Sequence, residues 1–548
     1  MSTKQSKNNN LFYGIISGVF FFFIVLPILV IFKEALDAGG LGDLSNFLNT
    51  NTLKSIRNSL SLGVLVVLAT TMLSAPLAYL LAKTPLSKYK WIDIVLLIPF
   101  MTPPYIASMG WILFFQKKGL LEQLVPISAT FNSYFFSLGG LVLVMSLHLC
   151  PFMTTILKNA LLNIGDNLED SAAVAGAGFY QRIVKIYVPL LLGNYAIAAL
   201  LVFVKTLSEY GTPATLGARI GFEVFTTDIH RYATMSPIDF GKAATLSSAL
   251  VSICLVMWLV QSYITNKRSY NLVGGRSKAS GAVVGNKSSI VVVGWLYLGG
   301  IIFCGVGIPY FSVLATSLIK LRGYGIAIDN FTFAHYQELF VAGSAGLSAI
   351  VTSVFLACSA ATIASILGFL TVIVLQKKSK FKKLIESEVL LPEMIPNIVL
   401  VIGLMILWNK LYSYWPIYNT LGFMVLVYTL MFLPYAYQYT YSGYMQLSNN
   451  LFEAARMSGA SSLQILQKIT LPLLLKSIMT GWMMIFIIVF RELVAASLIS
   501  PPNTLTVSTY IVSEFSQGSV SLGMSMAFIC VIISTTVLLF LNRFQRKR

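Results

Sequence analysis

Glu453-Ala454-Ala455-Arg456-Met457-Ser458-Gly459, followed after nine residues by Ile469-Thr470-Leu471-Pro472, decides how this chain is read. The stretch is polar and lies between two long apolar runs. Asn449 to Met457 suit a short helix, with Ala454 and Ala455 keeping one face small enough for another surface to approach. Gly459 permits a turn that a residue with a Cβ resists. An amphipathic stretch from Ser461 to Thr470 follows, and Pro472 suits the start of the next helix. A weaker copy lies upstream: Asp170-Ser171-Ala172-Ala173-Val174-Ala175-Gly176, nine residues, then Ile186-Tyr187-Val188-Pro189. One offset carries Asp170 to Glu453, Gly176 to Gly459 and Pro189 to Pro472. A polar helix–Gly–helix unit occurring twice reads as a docking element for a soluble partner.

The surroundings are those of a polytopic membrane protein. Of 548 residues, 56% are hydrophobic and 11% charged, against about 25% charged in soluble domains; mean hydropathy is +0.78. Runs of about 20 apolar residues, enough to cross a bilayer as helices, fall near 11–32, 58–82, 92–114, 137–157, 188–207 and 243–264. A second set follows near 289–314, 348–375, 386–408, 420–441, 473–490 and 523–542. This predicts an all-α fold of about twelve transmembrane helices. The first run is too long for a cleaved leader and reads as an uncleaved span.

The net charge of +18 would suggest nucleic acid in a soluble protein. Here the basic residues sit in alternate loops, at Lys83, Lys88 and Lys90, at Lys267 and Arg268, at Lys377 to Lys383, and at the end from Arg543. The positive-inside rule makes that side cytoplasmic, with both termini and both repeated motifs. The expected place is the bacterial cytoplasmic (inner) membrane, with the lipid bilayer and no nucleic acid as partner. Lys117, Lys118, Lys320 and Arg322 fall on the opposite side. The five cysteines all lie in apolar runs without CxxC spacing, which supports neither disulfides nor a zinc site.

The repeat extends beyond the motif. The same offset maps Cys150-Pro151-Phe152 onto Leu433-Pro434-Tyr435 and Glu209 onto Glu492, while Pro99, Pro103 and Gly110 map onto Pro392, Pro396 and Gly403 by an offset ten residues larger. The chain therefore reads as a tandem duplication in one orientation: a first half over 1–264, a polar Gly-, Ser- and Lys-rich linker over 265–288, and a second half over 289–548. Parallel repeats predict pseudo-two-fold symmetry about the membrane normal, with the pathway between halves.

The Glu-Ala-Ala, Gly, Ile-x-Leu-Pro pattern is similar to the "EAA" loop of binding-protein-dependent ABC importer permeases. The second copy matches at every core position; the first has Asp170, Ser171 and Val188 where the pattern has Glu, Ala and Leu. The resemblance implies the type I importer permease fold. It also implies two copies of a cytoplasmic ATPase docked through Asp170, Ser171, Ala172, Gly176 and Pro189 and through Glu453, Ala454, Ala455, Gly459 and Pro472. An extracytoplasmic binding protein would deliver the solute, and ATP and Mg would bind the partner ATPases, with no cofactor and no catalytic residue in this chain. Fusion of two six-span halves resembles the ferric-iron branch; related permeases serve thiamine, 2-aminoethylphosphonate, sulfate and polyamines.

Candidate pathway residues are fewer. Pro99, Pro103, Pro392 and Pro396 interrupt spans three and nine, either as static kinks or as gates. Glu209 and Glu492, near the outer ends of spans five and eleven, are either solvated or salt-bridged groups or acids that meet a cationic solute. Glu393 lies deeper, where the first half has Phe100. His148, near the middle of span four, reads as an interhelical hydrogen bond, and His230 and His335, in outward loops, are too scattered for a metal site. Gly281 to Ser288 approaches a phosphate loop, but Asn286 replaces the required Gly and a membrane span follows. A secondary transporter would rely on intramembrane ionisable residues, which are sparse, and would give the paired loops no task. A membrane enzyme would need an acid or His cluster, and none is evident.

Overall fold

A computed structural model describes residues 13–39, 50–125, 130–165, 168, 171–172, 174–267, 288–376 and 380–546. Asp170, most of the 265–288 linker and the phosphate-loop-like segment lie outside the described residues. In chain order the principal helices are α1 (Tyr13–Asp37), α2 (Thr50–Lys83), α3 (Trp91–Met101), α4 (Pro104–Phe115), α5 (Leu138–Leu162), α6 (Phe179–Ser208), α7 (Phe225–Thr234) and α8 (Phe240–Lys267). They continue with α9 (Val291–Leu318), α10 (Ala345–Val374), α11 (Lys382–Met394), α12 (Asn397–Lys410), α13 (Leu421–Tyr444), α14 (Asn449–Met457), α15 (Ser462–Phe490), α16 (Val494–Ile499), α17 (Val507–Ser516) and α18 (Val520–Arg546). Among the described residues the only strand-like pairing outside helices is one bridge, Ile319 with Phe331.

Among the described residues ten helices are long and apolar enough to cross a membrane, or eleven when the pair α11–α12, bent by 110°, is counted as one span. The third expected span is two short helices, α3 and α4, rather than one continuous rod. The physical reason is the same in both places. Proline clashes with an α-helical predecessor and drives it extended: Thr102 has ψ 134° before Pro103, and Ile395 has ψ 140° before Pro396. Pro103 (φ −55°, ψ 129°) and Pro396 (φ −56°, ψ 133°) then begin α4 and α12 in matching conformations. Pro99 and Pro392 stay inside the preceding helices.

Other prolines are absorbed without a break. Ahead of Pro27, Pro189, Pro309 and Pro472 the helix widens by one π-turn. The residue before each proline donates its N–H five residues back: Leu26 to Phe21, Val188 to Ile183, Ile308 to Phe303 and Leu471 to Leu466. The wide turn makes room for a ring that would strike the regular i−4 carbonyl. Pro472 and Pro189 therefore sit inside continuous helices, where the sequence suggested the start of new ones.

The described residues form two compact units. One comprises Met1–Phe47, Ile229–Val251 and Phe333–Arg548; the other comprises Leu48–Asp228 and Ser252–Thr332. Their boundaries fall within α7 and α8 and cut across the sequence repeats, so α1 belongs with the second-half helices and α9 with the first. In the first unit α1 packs on α12, where a Cβ on Gly403 would lie 2.6 Å from the Pro27 carbonyl oxygen. Trp408 stacks on Phe23 with centroids 5.7 Å apart. In the second unit α9 packs on α4 in the same manner, a Cβ on Gly110 lying 2.6 Å from the Pro309 carbonyl oxygen. Leu77, Leu81, Ile92, Leu96, Cys150 and Leu298 form a buried core beside it.

Candidate functional site

The two loops marked by sequence fold alike. In the second, Ser448 caps α14, its hydroxyl accepting the Asn450 N–H at 3.3 Å. The helix stops at Ser458 because Gly459 takes φ +80°, a left-handed conformation costly for residues bearing a Cβ. The Gly459 N–H donates to the Arg456 carbonyl and the Ala460 N–H to the Ala455 carbonyl, both at 3.0 Å. This pair of bonds is the Schellman closure, which satisfies the last carbonyls of a helix. Ser461 then starts α15, and its N–H is bonded at 2.8 Å by the Gln464 side chain.

The first loop repeats these features. Gly176 has φ +77°, the Ala177 N–H donates to the Ala172 carbonyl at 2.9 Å, and the Gly178 N–H donates to the Gln181 side chain at 3.2 Å. Each element stands at the common offset from its counterpart. Ser171 and Ala172 are helical; Asp170 lies outside the described residues. The loops are anchored by aromatic pairs, Tyr79 against Phe179 and Tyr187 in one, and Tyr444 against Phe452 in the other.

Glu453 and Ala454 are exposed, and Ala455 is half-buried. Sequence reading missed the apolar tips. Val174 is 92% and Met457 90% exposed, at equivalent positions, and Tyr180 (76%) and Leu463 (60%) form a second equivalent pair. The two loops thus expose apolar groups at two pairs of matched sites. The signal was available: an apolar residue two positions before the repeated glycine in each copy.

Glu209 and Glu492 take a common structural part. Both follow the last turn of a long helix, α6 and α15. The Glu209 carboxylate accepts the Thr212 N–H at 3.0 and 3.1 Å. That of Glu492 accepts the N–H groups of Val494, Ala495 and Ala496 at 2.8, 2.9 and 3.3 Å. The carboxylates thus cap the N-termini of the turns that follow, where helix geometry leaves N–H groups orphaned. Their own carbonyls accept the Thr226 and Ser508 hydroxyls. Ser59 and Ser353 complete the pattern by accepting the N–H groups of Phe225 and Val507, each at 2.8 Å. Composition gave no sign of this network, because its acceptors and donors are largely backbone.

Glu393 is exposed on α11, just before the break, and its carboxylate accepts from the Gln438 amide on α13. Glu386, two turns earlier, accepts the Tyr437 hydroxyl at 3.1 Å. His230 on α7 meets the Ser497 hydroxyl at 3.1 Å, and burial pushes its imidazole down to about 4. Among the described residues no three His, Cys, Asp or Glu side chains group as metal ligands.

Two helical repeats with matching proline breaks and matching exposed loops define a polytopic transport permease. The profile of the family described as "Binding-protein-dependent transport system inner membrane component" matches residues 74–270 and 360–548, once in each half. The chain belongs to that family and is an integral inner-membrane protein. It is 24% identical over 456 residues to a protein named ferric transport system permease protein FbpB from Actinobacillus pleuropneumoniae, covering 81% of this chain and 64% of that one. It is 20% identical over 529 residues to the Fe(3+)-transport system permease protein FbpB 2 of Haemophilus influenzae, covering 96% of each. Over 250 residues it is 28% identical to the spermidine/putrescine transport system permease protein PotC of the same organism, covering 45% of this chain and 94% of that one.

Proposed function

We propose that this chain is the membrane subunit of an ATP-driven importer that receives ferric iron from an external binding protein and releases it in the cytoplasm. The observation that carries the reading is the pair of loops around Gly176 and Gly459. Each presents a rigid, solvent-facing helix end with an exposed apolar tip, and two such ends suit two copies of one soluble ATPase. ATP binding would draw the ATPases together, and the loops would pass that motion into α6 and α15, with which they are continuous. Differential binding to the nucleotide-loaded ATPase would then shift the permease between inward- and outward-facing states. The relatives named for ferric transport support iron as the cargo.

Uptake of radiolabelled ferric iron by iron-starved cells, with and without the chain and with a Gly459→Val variant, tests this. Loss in both the deletion and the variant supports it. Normal iron uptake without the chain, in cells lacking other iron systems, removes iron. The relative named for spermidine and putrescine then makes polyamines the next cargo to assay, before thiamine and 2-aminoethylphosphonate.

A further inference from the structure

The two units share a framework at the end of α4 and of α12, and they differ in one charge. In the first unit Gly403 lies on Pro27; seven residues further along each helix, Lys410 pairs with Glu34. In the second unit Gly110 lies on Pro309. Seven residues further on stand Lys117 and Thr316. The place of the carboxylate is thus taken by a buried threonine, and the lysine remains.

Around this substitution lies a cavity of about 230 Å³ lined by Gln116, Lys117, Lys118, Gln123, Thr316 and Arg322, with leucines and Ile319 behind them. Its walls are fixed. Gln123 donates to the Lys118 carbonyl at 2.9 Å and accepts the Ile326 N–H at 2.8 Å. Asn330 donates to the Leu321 and Gly325 carbonyls, both at 2.8 Å, and so holds the loop that carries Arg322. A tight turn, Gly119 N–H to Gln116 carbonyl at 2.7 Å, sets both lysines at its tip, and Lys118 adopts φ +54° there. The nearby acid, Glu122, is engaged by the Lys118 N–H and by the Asn132 amide. Further positive charge adjoins: Arg219 has its pKa pulled down, by burial first and by the charge of Arg322 second.

We propose that this cavity is a binding site for a small oxyanion of the size and charge of inorganic phosphate. Two ammonium groups and a guanidinium line it, and among the described residues no carboxylate does. Arg offers a planar donor fork and Lys a point charge, the pair of devices that hold tetrahedral or carboxylate oxyanions. The cavity is smaller than the ~300–1,000 Å³ typical of pockets for larger ligands. The charge pattern of the loops places it on the outer side.

Equilibrium dialysis of radiolabelled inorganic phosphate against the full chain in lipid nanodiscs, with its ATPase partner bound and in low-salt chloride buffer, tests the site. The wild type should bind saturably, with sulfate competing. Thr316→Glu, which copies the other unit, should pair with Lys117 and weaken binding about tenfold or more. Lys117→Gln and Arg322→Gln, both at exposed positions, should do the same without disturbing the fold, and Lys242→Gln, which is not among the cavity's lining residues, should not. Absence of saturable binding in the wild type, or equal affinity in all variants, overturns the proposal. So does a result in which phosphate fails to bind but the external binding protein loses affinity for Thr316→Glu, since the cavity would then receive a protein carboxylate.

Discussion

Replacing Gly459 by valine should uncouple the second loop while leaving the fold intact. The cost can be worked from the structure. Nothing lies within 4 Å of where a Cβ would stand, so no neighbour has to move. The whole penalty is the backbone one for φ +80°, about 1–2 kcal/mol for a residue with a Cβ. At 1.4 kcal/mol per factor of ten, the native turn becomes about 5- to 25-fold less populated against alternatives. Because the loop is exposed, this loss falls on partner binding rather than on global stability. Titrating the purified ATPase onto the chain in nanodiscs should show a matching loss of affinity, and ATP-driven uptake in proteoliposomes should fall with it. Asparagine tolerates the left-handed region, so Gly459→Asn should stay much closer to the wild type. Wild-type binding by the valine variant, or equal loss in the asparagine variant, would refute the argument that the left-handed turn is what the partner requires.

Charge reversal at Glu453 should weaken ATPase association more than charge reversal at Asp170, because the second copy keeps every core position of the motif; equal losses in the same titration would show that the copies are equivalent. Glu492→Ala leaves three N–H groups without their acceptor in a buried turn, which should cost about 1–3 kcal/mol and lower the thermal midpoint in detergent, whereas Glu492→Gln keeps one oxygen and should lose less; similar midpoints for both would remove the capping role. Pro396→Ala frees Ile395 from its extended conformation and should relax the 110° bend. Spin labels near Lys382 and Lys410 should move apart in that variant and hardly at all in Pro392→Ala, and unchanged distances in both would mean that packing, not proline, sets the bend.

Much of this was legible because the residues concerned act through their own backbone. A glycine at the end of a short polar helix foretells a left-handed closure, and Gly176 and Gly459 provide it. A proline in an apolar run foretells an interruption, and Pro103 and Pro396 provide that. The same rule did not foresee that Pro189 and Pro472 are accommodated by a π-turn, since relief or rupture depends on how the preceding carbonyls are packed. Nor does the apolar pattern of α1 say which helices it joins. Its residues are equally suited to any bundle, and only the fit of Gly403 on Pro27 and of Trp408 on Phe23 decides. Glu209 and Glu492 were found by their common offset, but their partners are N–H groups two to four residues ahead, and no side-chain pattern records them.

That last point bears on where a solute would be recognised. The features the two halves hold in common are all accounted for by architecture or by the loops: matched breaks at Pro103 and Pro396, matched caps at Glu209 and Glu492, matched turns at Gly176 and Gly459. With their oxygens committed to backbone donors, the paired glutamates can accept a passing cation only by uncapping their own turns. The groups left for selectivity are those the duplication did not preserve. Glu393, with its Gln438 partner, has no acidic counterpart at the offset that relates the proline breaks, where Phe100 stands, whereas Glu386 answers to Asp93. Lys117 has lost the carboxylate that Lys410 retains in Glu34. A symmetric frame suits a machine driven by two identical ATPases, but a small solute meets only a few side chains at a time. Divergence between the halves is therefore where discrimination between a metal ion, a polyamine and an anion would be written, and substitutions at Glu393 should change which solute is carried sooner than substitutions at the conserved pairs.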